Sequence, residues 1–129
     1  MKIIDAHLHL FPPSPETDAM ARGVGHENST EHLRKVYGEL GMVHGVVMGN
    51  RSLEPSYHNY PAGLFHYCVG LDSVLMGRGE KPVPDLAEKV EENLKREACC
   101  GVKLYPGYNK LWLSDPAYEP VYELAARYD

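Results

Sequence analysis

Hydrophobic and polar positions follow two periods along the chain. Lys2-Ile3-Ile4-Asp5-Ala6-His7 is a short run with the look of a strand. The segment from Phe11 to Asn28, with Pro12, Pro13, Pro15, Gly23 and Gly25, is expected to be a long loop. Leu33, Val36, Tyr37 and Leu40 then recur at helical spacing, with Ser29 or Thr30 to cap that helix and Gly41 to stop it. Met42 to Met48 predicts a second strand, closed by Gly49-Asn50. Leu53 to Tyr60 allows at most a weak helix, because Pro55 can only begin one and Pro61 must end it. Leu64 to Val69 predicts a third strand.

Beyond it, Leu86, Val90 and Leu94 mark a helix face, and Asp85-x-x-Glu88 has the spacing of a capping box. Glu91 with Lys95 and Glu92 with Arg96 are favourably directed pairs on its wet side. Gly101 to Tyr105 predicts the fourth strand, ended by Pro106-Gly107. Val121, Tyr122, Ala125 and Tyr128 form a last helical stripe, with Pro120 in its first turn and the helix running out at Asp129. Strand and helix in alternation predict an α/β fold with parallel βα repeats and right-handed crossovers. Four such repeats in residues 1–129 are expected to form a single domain equal to half of a TIM (β/α)8 barrel, which takes about 250 residues.

Composition narrows the functional classes. The chain has 129 residues with 13 Lys+Arg against 18 Asp+Glu, a formal charge of −5. With no basic run, it is a poor general nucleic-acid binder. No apolar stretch approaches the roughly 20 residues of a membrane span, and no signal-peptide region follows Met1. Three cysteines, two of them the adjacent Cys99 and Cys100, make no disulfide framework; buried, inert thiols are the expectation. These features point to a cytoplasmic, reduced protein.

His7-x-His9 is the sharpest chemical signal. Strand alternation predicts that Ile3, Asp5, His7 and His9 face one way and Ile4, Ala6 and Leu8 the other. The two imidazoles would then sit roughly 6.6 Å apart along the strand, able to converge on one ion. They fall at the carboxyl end of a parallel strand, where barrel active sites are built. Lys103 is the second candidate, a lone charge inside an apolar strand whose Val102 and Leu104 are expected to face the helices. An inward lysine needs a partner, a neutral form or a modification. It could bind a substrate carboxylate or phosphate, pair with Asp5, snorkel, or serve as a metal ligand if carboxylated. Tyr105 and Tyr108 follow the same strand and could line a substrate pocket. His66 is expected to be a satisfied core residue, and His26, His32, His44 and His58 to lie at the surface.

Ile3-Ile4-Asp5-Ala6-His7-Leu8-His9-Leu10 resembles the first strand of the amidohydrolase superfamily. Gly101-Val102-Lys103-Leu104-Tyr105-Pro106, with Asp115-Pro116 and Pro120-Val121-Tyr122-Glu123-Leu124-Ala125, is similar to the fourth βα unit of its amidohydrolase-2 branch of metal-dependent TIM-barrel hydrolases. The resemblance implies a divalent transition metal, zinc foremost, held by His7 and His9, and a metal-activated water attacking a C–N or C–O bond. Lys103 matches a position that is carboxylated and bridges two metals in some members, and is not a ligand in many others. The family draws further ligands from the fifth and sixth strands and a catalytic Asp from the eighth, so the resemblance covers only its first half. Asp5, deeper in the strand than His7, is a poor substitute base. Two alternatives stand beside a hydrolase: a non-oxidative decarboxylase of the same family, and a catalytically silent fragment or interaction module. A half barrel also exposes two strand edges, which predicts a homo-oligomer.

Overall fold

The computed structural model describes residues 1–72, 76 and 83–128. The β-branched and aromatic runs form four strands, β1 (Ile3–Leu8), β2 (Met42–Gly49), β3 (Phe65–Leu71) and β4 (Cys99–Leu104). All pair in parallel, in the order of the chain, as one sheet. The helices are α1 (Pro15–Gly23), α2 (Thr30–Leu40), α3 (Leu86–Leu94), α4 (Pro106–Asn109) and α5 (Glu119–Arg127). The last of these ends at Arg127, and Asp129 lies outside the described residues. No described helix is long and apolar enough to cross a membrane.

The second helix follows its sequence signals closely. Ser29 accepts the His32 amide as N-cap, and Gly41 closes the helix in the left-handed region at φ 73. Tyr37 of α2, Leu86 and Val90 of α3, and Val121 and Leu124 of α5 pack as one core with Val47, Phe65, Tyr67, Val69 and Leu71. These helices therefore cover a single face of the sheet. Buried Asn93 ties the layers together. It accepts the Tyr67 hydroxyl at 2.8 Å and donates to the Leu53 carbonyl at 2.8 Å, so a fully buried amide is satisfied on both sides.

Several expectations need correction. The Phe11–Asn28 loop contains α1, because Ser14 and Thr17 form a reciprocal capping box and Pro15 occupies the first helical position. Between β2 and β3 there is no α-helix, only a 3₁₀ turn at Pro55–His58, so the βα alternation lapses there. Asp85 makes no cap bond: its φ of 60 is left-handed, whereas a capping side chain needs extended backbone. Glu91 pairs with Lys95 at 3.3 Å as expected. Arg96 instead leaves Glu92 for the Pro55 carbonyl and the Asn59 amide oxygen, and Glu92 takes Lys89 at 3.0 Å. In α5 it is Leu124, not Tyr122, Ala125 or Tyr128, that joins Val121 in the core, while Pro120 does lie in the first turn.

Candidate functional site

The first strand does not alternate through its whole length. Its pairing with β2 slips between Asp5 and Leu8, where two residues face one on the neighbour. The Asp5 carboxylate accepts the His7 amide at 3.1 Å, a local bond that draws this N–H out of a regular ladder. Leu8 consequently packs into the helix-side core, and Ile4 pairs with His44 on the other face, uncovered by any helix among the described residues. Asp5 adds, after burial, to the upward shift of the Tyr37 hydroxyl on the helix side. The expected grouping of Ile3 and Asp5 with His7 is thus broken by a bulge.

His7 and His9 nevertheless come together. Both are exposed, and their rings meet edge to face with centroids 5.3 Å apart. Imidazoles sharing a tetrahedral zinc, with Zn–N bonds of about 2.0–2.1 Å, have ring centres about 5 Å apart. The ring spacing therefore matches that of two imidazoles on one such ion. Among the described residues, no group of three or more His, Cys, Asp or Glu is gathered to complete one.

Phe11 extends this cluster along the carboxyl ends of the strands. Its ring stacks with His9 at 6.4 Å, and the Arg51 guanidinium lies 4.7 Å from the centroid of the same ring. Arg51 adopts φ 73, and its amide donates to the Asp72 carboxylate at 3.1 Å. Asn50 accepts the Tyr105 hydroxyl at 2.8 Å, reaching from the end of β2 past β3 to the end of β4. It can do so because β3 carries Gly70 at the crossing: a Cβ there would run into the Asn50 amide oxygen. Burial, with smaller pushes from Asp72 and Tyr108 and against the opposing hydrogen bond to Asn50, holds the Tyr105 phenol above its ordinary pKa.

Lys103 pairs in register with Gly70 on the uncovered face, and Val102 and Leu104 pack against the helix-side core, as the strand pattern predicts. The lysine ammonium sits 4.9 Å over the Tyr105 ring. It stands on the edge strand opposite to that of His7 and His9. Tyr108 is exposed and meets Tyr105 edge to face at 6.2 Å. The sequence reading missed Asn50, Arg51 and Asp72. Their signal was position alone: each is among the first polar residues after a parallel strand, where such sheets place ligand contacts.

The remaining histidines and thiols depart further from expectation. His58 is buried, not superficial; its Nε2 lies 2.9 Å from the Ser52 carbonyl and its Nδ1 3.2 Å from the Tyr60 hydroxyl. Half-buried His66 meets His44 on the uncovered face with ring nitrogens 2.8 Å apart. Cys99 faces the core, whereas exposed Cys100 lies with its sulfur 3.9 Å from that of Cys68. Burial and the neighbouring Cys100 push the Cys68 thiol up to about 12.

A groove of about 860 Å³ opens beside His9, between the segment after β1, α2 and the turn before β3. Phe11, His26, His32, Tyr57 and Tyr60 are among its walls, and its size suits a small molecule. In comparisons with known proteins, no family model, curated protein or solved structure matches the chain.

Proposed function

We propose that the chain forms the first half of a metal-dependent, amidohydrolase-type hydrolase acting on a C–N or C–O bond of a small molecule. The observation that carries this reading is the edge-to-face His7–His9 pair at the carboxyl end of a parallel strand, with His9 lining a ligand-sized groove. A divalent ion there, zinc first, would supply an acidified water and a Lewis acid for a carbonyl. His7 and His9 would hold two of its positions, Phe11 stacks on the His9 ring, and Tyr105, whose hydroxyl donates to Asn50, ties the strand ends together. Lys103, seated on the Tyr105 ring, is the cation for a substrate carboxylate or phosphate; as a carboxylated ligand it would have to leave that seat.

The sheet supports a half-barrel reading because all four strands are parallel and in chain order, with helices on one face. The outer edges of β1 and β4 have no paired strand among the described residues. A two-fold dimer closing an eight-stranded barrel would bring the partner's first strand beside β4. The partner's histidine pair would then stand where the resemblance expects fifth-strand ligands.

Metal content and sedimentation mass on purified, unchelated protein test the proposal, followed by assay against amides, lactones and aryl carboxylates. The expected result is a dimer carrying transition metal that is lost in His7→Ala/His9→Ala, with hydrolysis lost alongside. Release of CO₂ from an aryl carboxylate without hydrolysis would assign the decarboxylase chemistry instead. Unchanged association in the double variant, with metal in neither form and no turnover, would leave an interaction module.

A further inference from the structure

A second pair of imidazoles is more tightly converged than His7 and His9. His26 Nδ1 lies 2.8 Å from His32 Nε2, with ring centroids 5.1 Å apart and planes at 61°. Each ring is set by local structure on its own side. The His26 amide donates back to the Ala21 carbonyl at 2.9 Å, across a turn in which Gly25 takes φ 78. His32 is the third residue of α2, and its amide is held by the Ser29 cap at 3.1 Å. Between them, the Asn28 amide donates to Thr17 and Asp18 of α1, both at 3.0 Å, pinning the connecting segment.

We infer that His26 and His32 form a two-imidazole site for a divalent transition ion, zinc among them, in the wall of the groove beside His9. Two nitrogens on one tetrahedral zinc stand about 3.3 Å apart, from Zn–N bonds of about 2.0–2.1 Å. The pair thus needs to open by about half an ångström and each ring to turn its nitrogen toward a common point, the shared proton moving to the other nitrogen of its ring. Imidazole donors suit Zn²⁺, Ni²⁺ and Cu²⁺ over Mg²⁺ or Ca²⁺. The ion's remaining positions would face the groove and be open to water or to a ligand heteroatom.

Local charge separates this pair from the other close one. His44 and His66 share their cavity with both Arg96 and Glu97, whose opposite charges offset. His26 and His32 share theirs with the carboxylate of Glu27.

Zinc titration of the chelator-stripped full chain, read by calorimetry and by the ring nitrogens of the histidines in ¹⁵N NMR, tests it. The expected result is a binding event that shifts the His26 and His32 nitrogens. It is lost in His26→Asn and in His32→Asn, and retained in His7→Ala/His9→Ala. His26 is exposed, so loss of fold does not confuse its replacement, and the amide spectrum checks this in each variant. Zinc shifts confined to His7 and His9, or to His44 and His66, would overturn the assignment. So would undiminished binding in His32→Asn.

Discussion

His58 shows how a polar residue becomes part of a core. Its ring stacks on Tyr67 at 4.8 Å, and both nitrogens find partners in the Ser52 carbonyl and Tyr60 hydroxyl. With Nε2 donating to the carbonyl, Nδ1 accepts from the phenol, an arrangement available only to the neutral ring. Burial first, and the Arg96 charge after it, lower its pKa from 6.5, against an opposing contribution from Ser52. Below pH 6.5 the unfolded chain takes up a proton that the folded one refuses, so the unfolded state binds more protons than the folded one. Stability from this residue is therefore complete above pH 6.5 and falls as pH drops toward the depressed folded value. Urea unfolding at pH 7.5 and 5.5 should show that loss, and His58→Gln should flatten the difference; an equal slope in the variant would assign it to other groups. The cysteines make a second prediction at this scale. Cys100 is exposed while Cys68 is held protonated, so iodoacetamide at pH 8 should label Cys100 first by peptide mapping. Equal labelling at Cys68 would contradict the burial that sets its thiol. Neither fate is written in local sequence, because the packing over Tyr67 and the β3–β4 pairing come from distant segments.

Elements whose signals are local were legible. Ser29 and Gly41 delimit α2 because a cap and a left-handed stop depend on a few neighbouring residues. Strand alternation likewise placed Lys103 opposite Val102 and Leu104. Prediction failed where a nearby side chain competed with the ladder, as Asp5 does for the His7 amide, or where a proline within a loop-like Pro- and Gly-rich run begins a helix, as Pro15 begins α1. The bridge from Asn50 to Tyr105 was illegible for another reason: it requires β2, β3 and β4 in register, with Gly70 beneath the crossing amide. Gly70→Ala should therefore cost about 1–3 kcal/mol by overpacking. Part of the cost would remain without Asn50, because the new methyl would also press on the Gly49 carbonyl at 2.9 Å. A double-mutant cycle with Asn50→Ala should recover the rest as a coupling energy. Strict additivity in urea unfolding would mean that Asn50 does not lie over Gly70 in solution.

At the scale of the whole molecule, the two faces of the sheet differ in kind. The helix side is a continuous core, while the other carries His44, His66, Cys68 and Lys103 with Ile4 left 63 % exposed. Tyr108, Trp112 and Leu113 add exposed apolar surface after β4. Apolar groups on a face and beside two edges that no described element covers or pairs favour association, and the barrel-closing dimer would bury the face and both edges at once. Ile4→Glu separates this from folding, since a side chain already open to water contributes little to the chain's own core. In a closed barrel its carboxylate would be desolvated without a partner, a cost of several kcal/mol that the dimer would have to bear twice. Sedimentation equilibrium at micromolar concentration should thus find twice the chain mass for the native sequence and the single mass for Ile4→Glu, with the same circular dichroism. Metal retention should fall with the dimer if the partner completes the His7–His9 site. A variant that dimerises like the parent would place the contact away from this face, and a parent that sediments as a monomer would remove the dimer from the proposed site.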